Sequence, residues 1–170
     1  FQEKFQLAKE AGFHGVEIGP LDTEEERLNY KKAADELGLE LHSVMNSVHW
    51  SLPLSDPDPD VRQKSVEGLV RSIKTANTIG GDTVLLVPAV VKKDVPYDVA
   101  YERSQAEIKK VIETAQEHDI LICIENVWNK FLLSPIEFAR YVDEFESDQI
   151  QAYFDVGNII VYGWPEHWIR

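Results

Sequence analysis

Two carboxylates stand at the ends of apolar runs. Ile120-Leu121-Ile122-Cys123-Ile124 closes on Glu125, and Ala152-Tyr153-Phe154 closes on Asp155. A carboxylate at the mouth of a buried strand loses solvation and needs a compensating partner. A metal ion is one such partner and a lysine at the rim is another; the residues alone leave both open. Asp155 also stands just before Val156-Gly157, so a turn or N-cap aspartate is its plainer alternative. Neighbouring parallel strands lie about 4.8 Å apart, so successive strand ends can offer both carboxylates to one hard cation. Manganese and magnesium favour oxygen ligands, and a set that adds imidazole also admits cobalt or zinc.

Other polar groups fall at similar places. Glu17 ends the run Gly15-Val16 and is suited to binding substrate hydroxyls, or is a plain rim residue. His49 lies in the loop after the next strand. It has the chemistry to bind a hydroxyl or shuttle a proton, though a lone loop histidine more often does neither. Asn126, Trp128, Asn129 and Lys130 follow Glu125 on one loop. Asn129 is a candidate for substrate contact, as is Asn158, three residues after Asp155. Lys130 has the charge to neutralise a phosphate, although exposed lysines usually do nothing so specific. His14, His42, His118 and His167 read as structural or solvent-facing. No Ser/His/Asp set, Cys/His pair or Cys-x-x-Cys motif can be assembled, so nucleophilic catalysis has no support.

The elements that must position these groups alternate in type. Residues 1–11 have helical spacing, with Phe1, Phe5 and Ala8 on one face, and 15–18 form a short strand. Thr23-Glu24-Glu25-Glu26 is a capping box that opens a helix running to about Leu37, stopped at Gly38. Residues 39–46 are the next strand, followed by a polar, proline-rich loop over 47–60. A helix over about 61–79 closes at Gly80-Gly81. Residues 83–87 are continuously apolar, as a parallel strand covered on both faces should be. A helix over about 98–118 precedes a strand at 120–125. Ser134-Pro135 opens another helix, 151–156 is the last strand, and 164–170 read as a helix just starting. This order predicts an α/β fold with a parallel sheet. No Gly-x-Gly-x-x-Gly follows any strand, and polar residues mark strand C-termini at Glu17, Asn46, Glu125 and Asp155. Barrel enzymes place their chemistry there, so a (β/α)8 TIM barrel is favoured over a doubly wound sheet. A complete barrel takes about 250 residues. The expectation is therefore one partial barrel domain over 1–170 with about five strands, lacking the first strand and the last two βα units.

Charge narrows the partners. The chain has 17 basic and 30 acidic residues, a net charge of −13. Nucleic-acid binders need a positive footprint, and only short pairs such as Lys31-Lys32, Lys92-Lys93 and Lys109-Lys110 occur, which read as solvated surface. No apolar run nears the roughly 20 residues of a membrane span. Neither nucleic acid nor membrane is expected as a partner. The single cysteine, Cys123, excludes an intrachain disulfide, reads as a small core residue and fits a cytoplasmic protein.

The chain resembles the sugar phosphate isomerase/epimerase family of the xylose-isomerase-like TIM-barrel superfamily. The likeness is carried by residues 11–17, by Leu54-Ser55-Asp56-Pro57-Asp58 and by 81–88. It is strongest at Ile124-Glu125-Asn126-Val127-Trp128-Asn129-Lys130-Phe131 and Tyr153-Phe154-Asp155-Val156-Gly157-Asn158. The resemblance implies one divalent metal, most often manganese, held by a glutamate, an aspartate, a histidine and a second glutamate. Glu125 matches the first glutamate and Asp155 the aspartate; the other two are expected beyond Arg170. It implies isomerisation or epimerisation of a sugar, sugar phosphate or related keto compound by proton transfer through a metal-stabilised enediolate. Glu125 is then a ligand and an acid–base group. Many epimerase relatives carry a histidine where this chain has Asn158, which can bind substrate but cannot exchange a proton. Family members commonly form dimers or tetramers, so a homo-oligomer stays open.

Two other readings stand beside this one. A non-catalytic sugar-binding domain would keep the barrel without the metal. A metal-dependent abasic-site endonuclease would need more histidines and a basic groove, against which the charge argues. The piece by itself is expected to be inactive and poorly soluble, with the 15–18 and 151–156 strands as open sheet edges.

Overall fold

The computed structural model describes residues 1–161 and 163–170. Five parallel strands form one sheet: β1 (Gly15–Ile18), β2 (Glu40–Met45), β3 (Thr83–Leu86), β4 (Leu121–Glu125) and β5 (Ile150–Tyr153). They lie in sequence order, each beside the next. A doubly wound sheet reverses its order at a switch point; here none occurs, as in the wall of a barrel.

The helices are α1 (Gln2–Glu10), α2 (Glu24–Leu37), α3 (Pro59–Ile79), α4 (Tyr97–Lys109), α5 (Ile112–Glu117), α6 (Pro135–Asp143) and α7 (Val156–Ile160). Their starts follow local chemistry. Thr23 and Glu26 form the reciprocal capping box of α2, and Ser134 caps α6 by accepting the Glu137 N–H. Gly38 and Gly80 take the left-handed conformation that ends α2 and α3. The single helix expected over 98–118 is instead two, α4 and α5, interrupted at Lys110-Val111. The β-branched pair Val111-Ile112 is a weak point for helix. The last residues contain only the 3₁₀ turn Pro165–His167.

Side-chain parity divides the sheet. Leu41, Val44, Val84, Leu86, Ile122, Ile124 and Ile150 point into the core shared with the helices. A register shift between Val16 and Glu17 against Leu41 and Ser43 lets β2 send both Leu41 and Val44 to that side. The opposite face carries Glu17, Ser43, Met45, Leu85, Cys123, Glu125 and Tyr153. A doubly wound sheet would bury this face under helices; here it is the interior of a barrel wall. Among the described residues no helix is long and apolar enough to cross a membrane.

Candidate metal and substrate site

Glu125 is the last residue of β4 and lies opposite Tyr153 of β5 in the register. Two residues past the end of β5, Asp155 is the N-cap of α7, its Oδ1 accepting the Asn158 N–H at 2.9 Å. The capping role anticipated for Asp155 is therefore real. It occupies one carboxylate oxygen and leaves the other free for a ligand.

The link between the two strand ends comes from Asn126, which is only 1% exposed. Its Nδ2 donates to the Asp155 carbonyl oxygen at 2.8 Å, and its Oδ1 accepts the Asp155 N–H at 2.8 Å. Asn158 Nδ2 returns a bond to the Asn126 carbonyl at 2.8 Å, and Trp128 Nε1 donates to the Asn158 carbonyl at 3.2 Å.

Two carboxylates, Asp155 and Glu17, act on Glu125. Burial, then the charges of Asp155 and Glu17, push the Glu125 carboxyl up to about 7. Burial also raises Glu17, opposed by His42. The Tyr153 phenol is raised, first by burial and then by Glu17. Among the described residues Glu17, Glu125 and Asp155 take part in no salt bridge. Such a group of oxygen donors without a cation suits a hard divalent ion. Among the described residues no three His, Cys, Asp or Glu side chains lie close enough to hold an ion by themselves. Glu125 and Asp155 are two oxygen-donor side chains at adjacent strand ends.

Other candidates sit elsewhere. His49 is 2% exposed, and Val87 N–H donates to its Nδ1 at 3.4 Å. Burial lowers its ring to about 4, so it is neutral. It rides on the 3₁₀ turn Ser47–Trp50, which presses Val48 onto Gly68 of α3. Asn129 is also buried. Its Nδ2 donates to the Ala89 carbonyl at 2.7 Å and its Oδ1 accepts the Phe131 N–H at 3.2 Å, so its amide serves the loop. Asn158 has its Nδ2 and N–H engaged as described. Of the six candidates, Glu17 and Asp155 both act on Glu125; His49, Asn129 and Asn158 hold backbone. Sequence reasoning gave no role to Asn126 or Tyr153. Tyr153 shares strand parity with Asp155, which was a usable signal; Asn126 carries none.

A parallel sheet in sequence order, with polar residues at its strand C-termini, defines the wall of a (β/α) barrel. The xylose isomerase-like TIM barrel family matches residues 5–170, and the chain belongs to that family. It is similar to L-ribulose-5-phosphate 3-epimerase UlaE of Escherichia coli O1:K1, 26% identical over 92% of this chain and 59% of the relative. It is 25% identical to the putative L-ribulose-5-phosphate 3-epimerase SgbU of E. coli K12, over 95% of this chain and 60% of that one. Among solved structures, D-psicose 3-epimerase superposes with a TM-score of 0.80 at 17% identity, covering 95% of this chain and 60% of that chain. The E. coli 3-keto-D-glucoside 4-epimerase YcjR gives 0.81 at 16%, covering 95% and 65%. The chain spans about 59% of the length of the curated relatives it matches.

Proposed function

We propose that this chain is the Glu125–Asp155 part of a metal-dependent sugar or sugar-phosphate epimerase. The observation that carries the reading is the pair of carboxylates at adjacent strand ends, Glu125 closing β4 and Asp155 two residues beyond β5, tied together through Asn126. Support also comes from the relatives, whose names are those of 3- and 4-epimerases.

Glu125 and Asp155 would hold the ion, manganese first and magnesium, cobalt or zinc as alternatives. When bound, a divalent cation supplies Lewis-acid polarisation of a substrate carbonyl and its neighbouring hydroxyl. Glu125 removes the proton from the carbon beside that carbonyl, and a second acid on the opposite face of the substrate returns one, so that the centre is inverted. Asp155, fixed by its cap and by Asn126, keeps its direction while this happens. Glu17 and the Tyr153 hydroxyl lie on the same sheet face as Glu125 and suit substrate hydroxyls. The substrate is a small keto sugar or its phosphate, and the setting cytoplasmic carbohydrate metabolism.

The test is deuterium exchange. The whole protein to which this chain belongs is incubated with manganese in heavy water and offered L-ribulose 5-phosphate or free ketohexoses. Deuterium should enter beside the carbonyl of one of them, and Glu125→Gln should abolish it. No exchange with any keto sugar would sink the reading.

A further inference from the structure

We propose that Asn126 is a positioning residue, whose two-point grip on the Asp155 main chain sets the direction in which the Asp155 carboxylate meets an ion shared with Glu125. The inference rests on the metal-dependent reading above. Asn126 follows Glu125 directly and is buried, so it is placed to act through Asp155 rather than on substrate. Both groups of its amide are spent on one residue's backbone, each at 2.8 Å. A single bond would leave that segment free to pivot; a donor and an acceptor together fix its rotation. The β4–β5 ladder ends at Glu125 opposite Tyr153, so the Asn126 bridge continues the junction beyond the ladder. The N-cap of α7 needs only the bond from Asn158 N–H to Asp155 Oδ1; the Asn126 grip is additional to it. Asn158 Nδ2, bonded to the Asn126 carbonyl at 2.8 Å, closes the ring.

The experiment titrates Mn2+ into the metal-free form of the whole protein to which this chain belongs and into its variants, with free ion read by electron paramagnetic resonance and unfolding followed in parallel. The wild type should bind more tightly than Glu125→Gln. Asn126→Ala should lose roughly tenfold to a hundredfold in affinity, the range for residues that orient a metal ligand. Asn126→Asp keeps the acceptor for the Asp155 N–H and loses the donor. Its added negative charge alone would tighten cation binding, so weaker binding in this variant, with its unfolding transition unchanged, reports geometry rather than charge or general damage. It also serves if Asn126→Ala fails to fold. Equal affinity in the wild type and the Asn126 variants overturns the positioning role and leaves the metal reading standing. A wild type that binds no better than Glu125→Gln overturns both.

Discussion

Gly68 and Val48 meet with no room for a methyl group: a Cβ on Gly68 would come within 2.6 Å of Val48 Cγ2. Gly68 lies inside α3, where glycine costs about 1 kcal/mol of helix propensity relative to alanine. That cost is accepted because the turn carrying His49 must lie flat on the helix. Gly68→Ala should therefore destabilise the chain by about 1–2 kcal/mol, overpacking exceeding the propensity gain. In a Val48→Ala background the clash disappears, and the same substitution should become stabilising. Urea unfolding of the four proteins of this double-mutant cycle measures it. An unchanged sign in both backgrounds would show that the contact does not control the packing.

The buried carboxylate of Glu107 ties α4 to the 47–60 loop. Arg62 Nε lies 3.1 Å from it, and the same guanidinium donates to the Asp56 and Pro57 carbonyls at 2.8 and 3.1 Å. Lys110 completes the cluster. Removing one partner of a well-buried pair strands the other charge, so Glu107→Ala should cost about 3 kcal/mol. Arg62→Ala should in addition speed hydrogen exchange through residues 47–60. If Glu107→Ala unfolds within 0.5 kcal/mol of the wild type, a magnitude typical of surface substitutions, the pair is a surface feature.

The sheet, the caps and the strand ends were legible because their causes are local. Thr23 and Glu26 are three residues apart, Gly38 and Gly80 follow their helices, and apolar runs mark covered strands. Glu125 and Asp155 were visible as charges closing such runs. What stayed hidden depends on partners distant in sequence. Asn126 grips a peptide 29 positions away, and Asn129 a carbonyl 40 positions away, so composition could not separate a backbone clamp from a substrate contact. Lys110 is exposed, as its sequence setting suggests, but nothing local reveals that the Glu107 it meets is buried opposite Arg62. His49 looked like a loop histidine; its burial arises from the approach of Val48 to Gly68.

His49 makes the fold sensitive to acid. Its folded pKa of about 4 lies below the ordinary 6.5, so the unfolded chain binds more protons between those values. The stability held by the neutral ring is complete above pH 6.5 and is lost as pH falls through 4. The shift corresponds to about 3 kcal/mol. His49→Gln retains an acceptor for the Val87 N–H and does not titrate. Its stability, measured from pH 7 down to 4, should fall less steeply than that of the wild type. Parallel curves would place the acid sensitivity elsewhere.

Glu125 gives the opposite slope. With divalent ions removed, its folded pKa of about 7 exceeds the ordinary 4.5, so the folded chain binds the extra proton. The stability this contributes is full below pH 4.5 and is lost as pH rises through 7. Because the carboxyl is partly open to solvent, screening reduces the effect to about 1–2 kcal/mol. Glu125→Gln keeps the shape of the protonated acid without the charge. It should match the wild type at pH 4.5 and exceed it at pH 8 by that amount. A divalent ion should reverse the order at pH 8 by stabilising the wild type alone, since a ligand bound only to the folded state adds to its stability. Metal-free chemical denaturation at the two pH values, repeated with manganese at pH 8, separates these outcomes. A glutamine variant no more stable than the wild type at pH 8 would mean that Glu125 is ordinarily ionised and that the crowding of carboxylates costs the fold nothing.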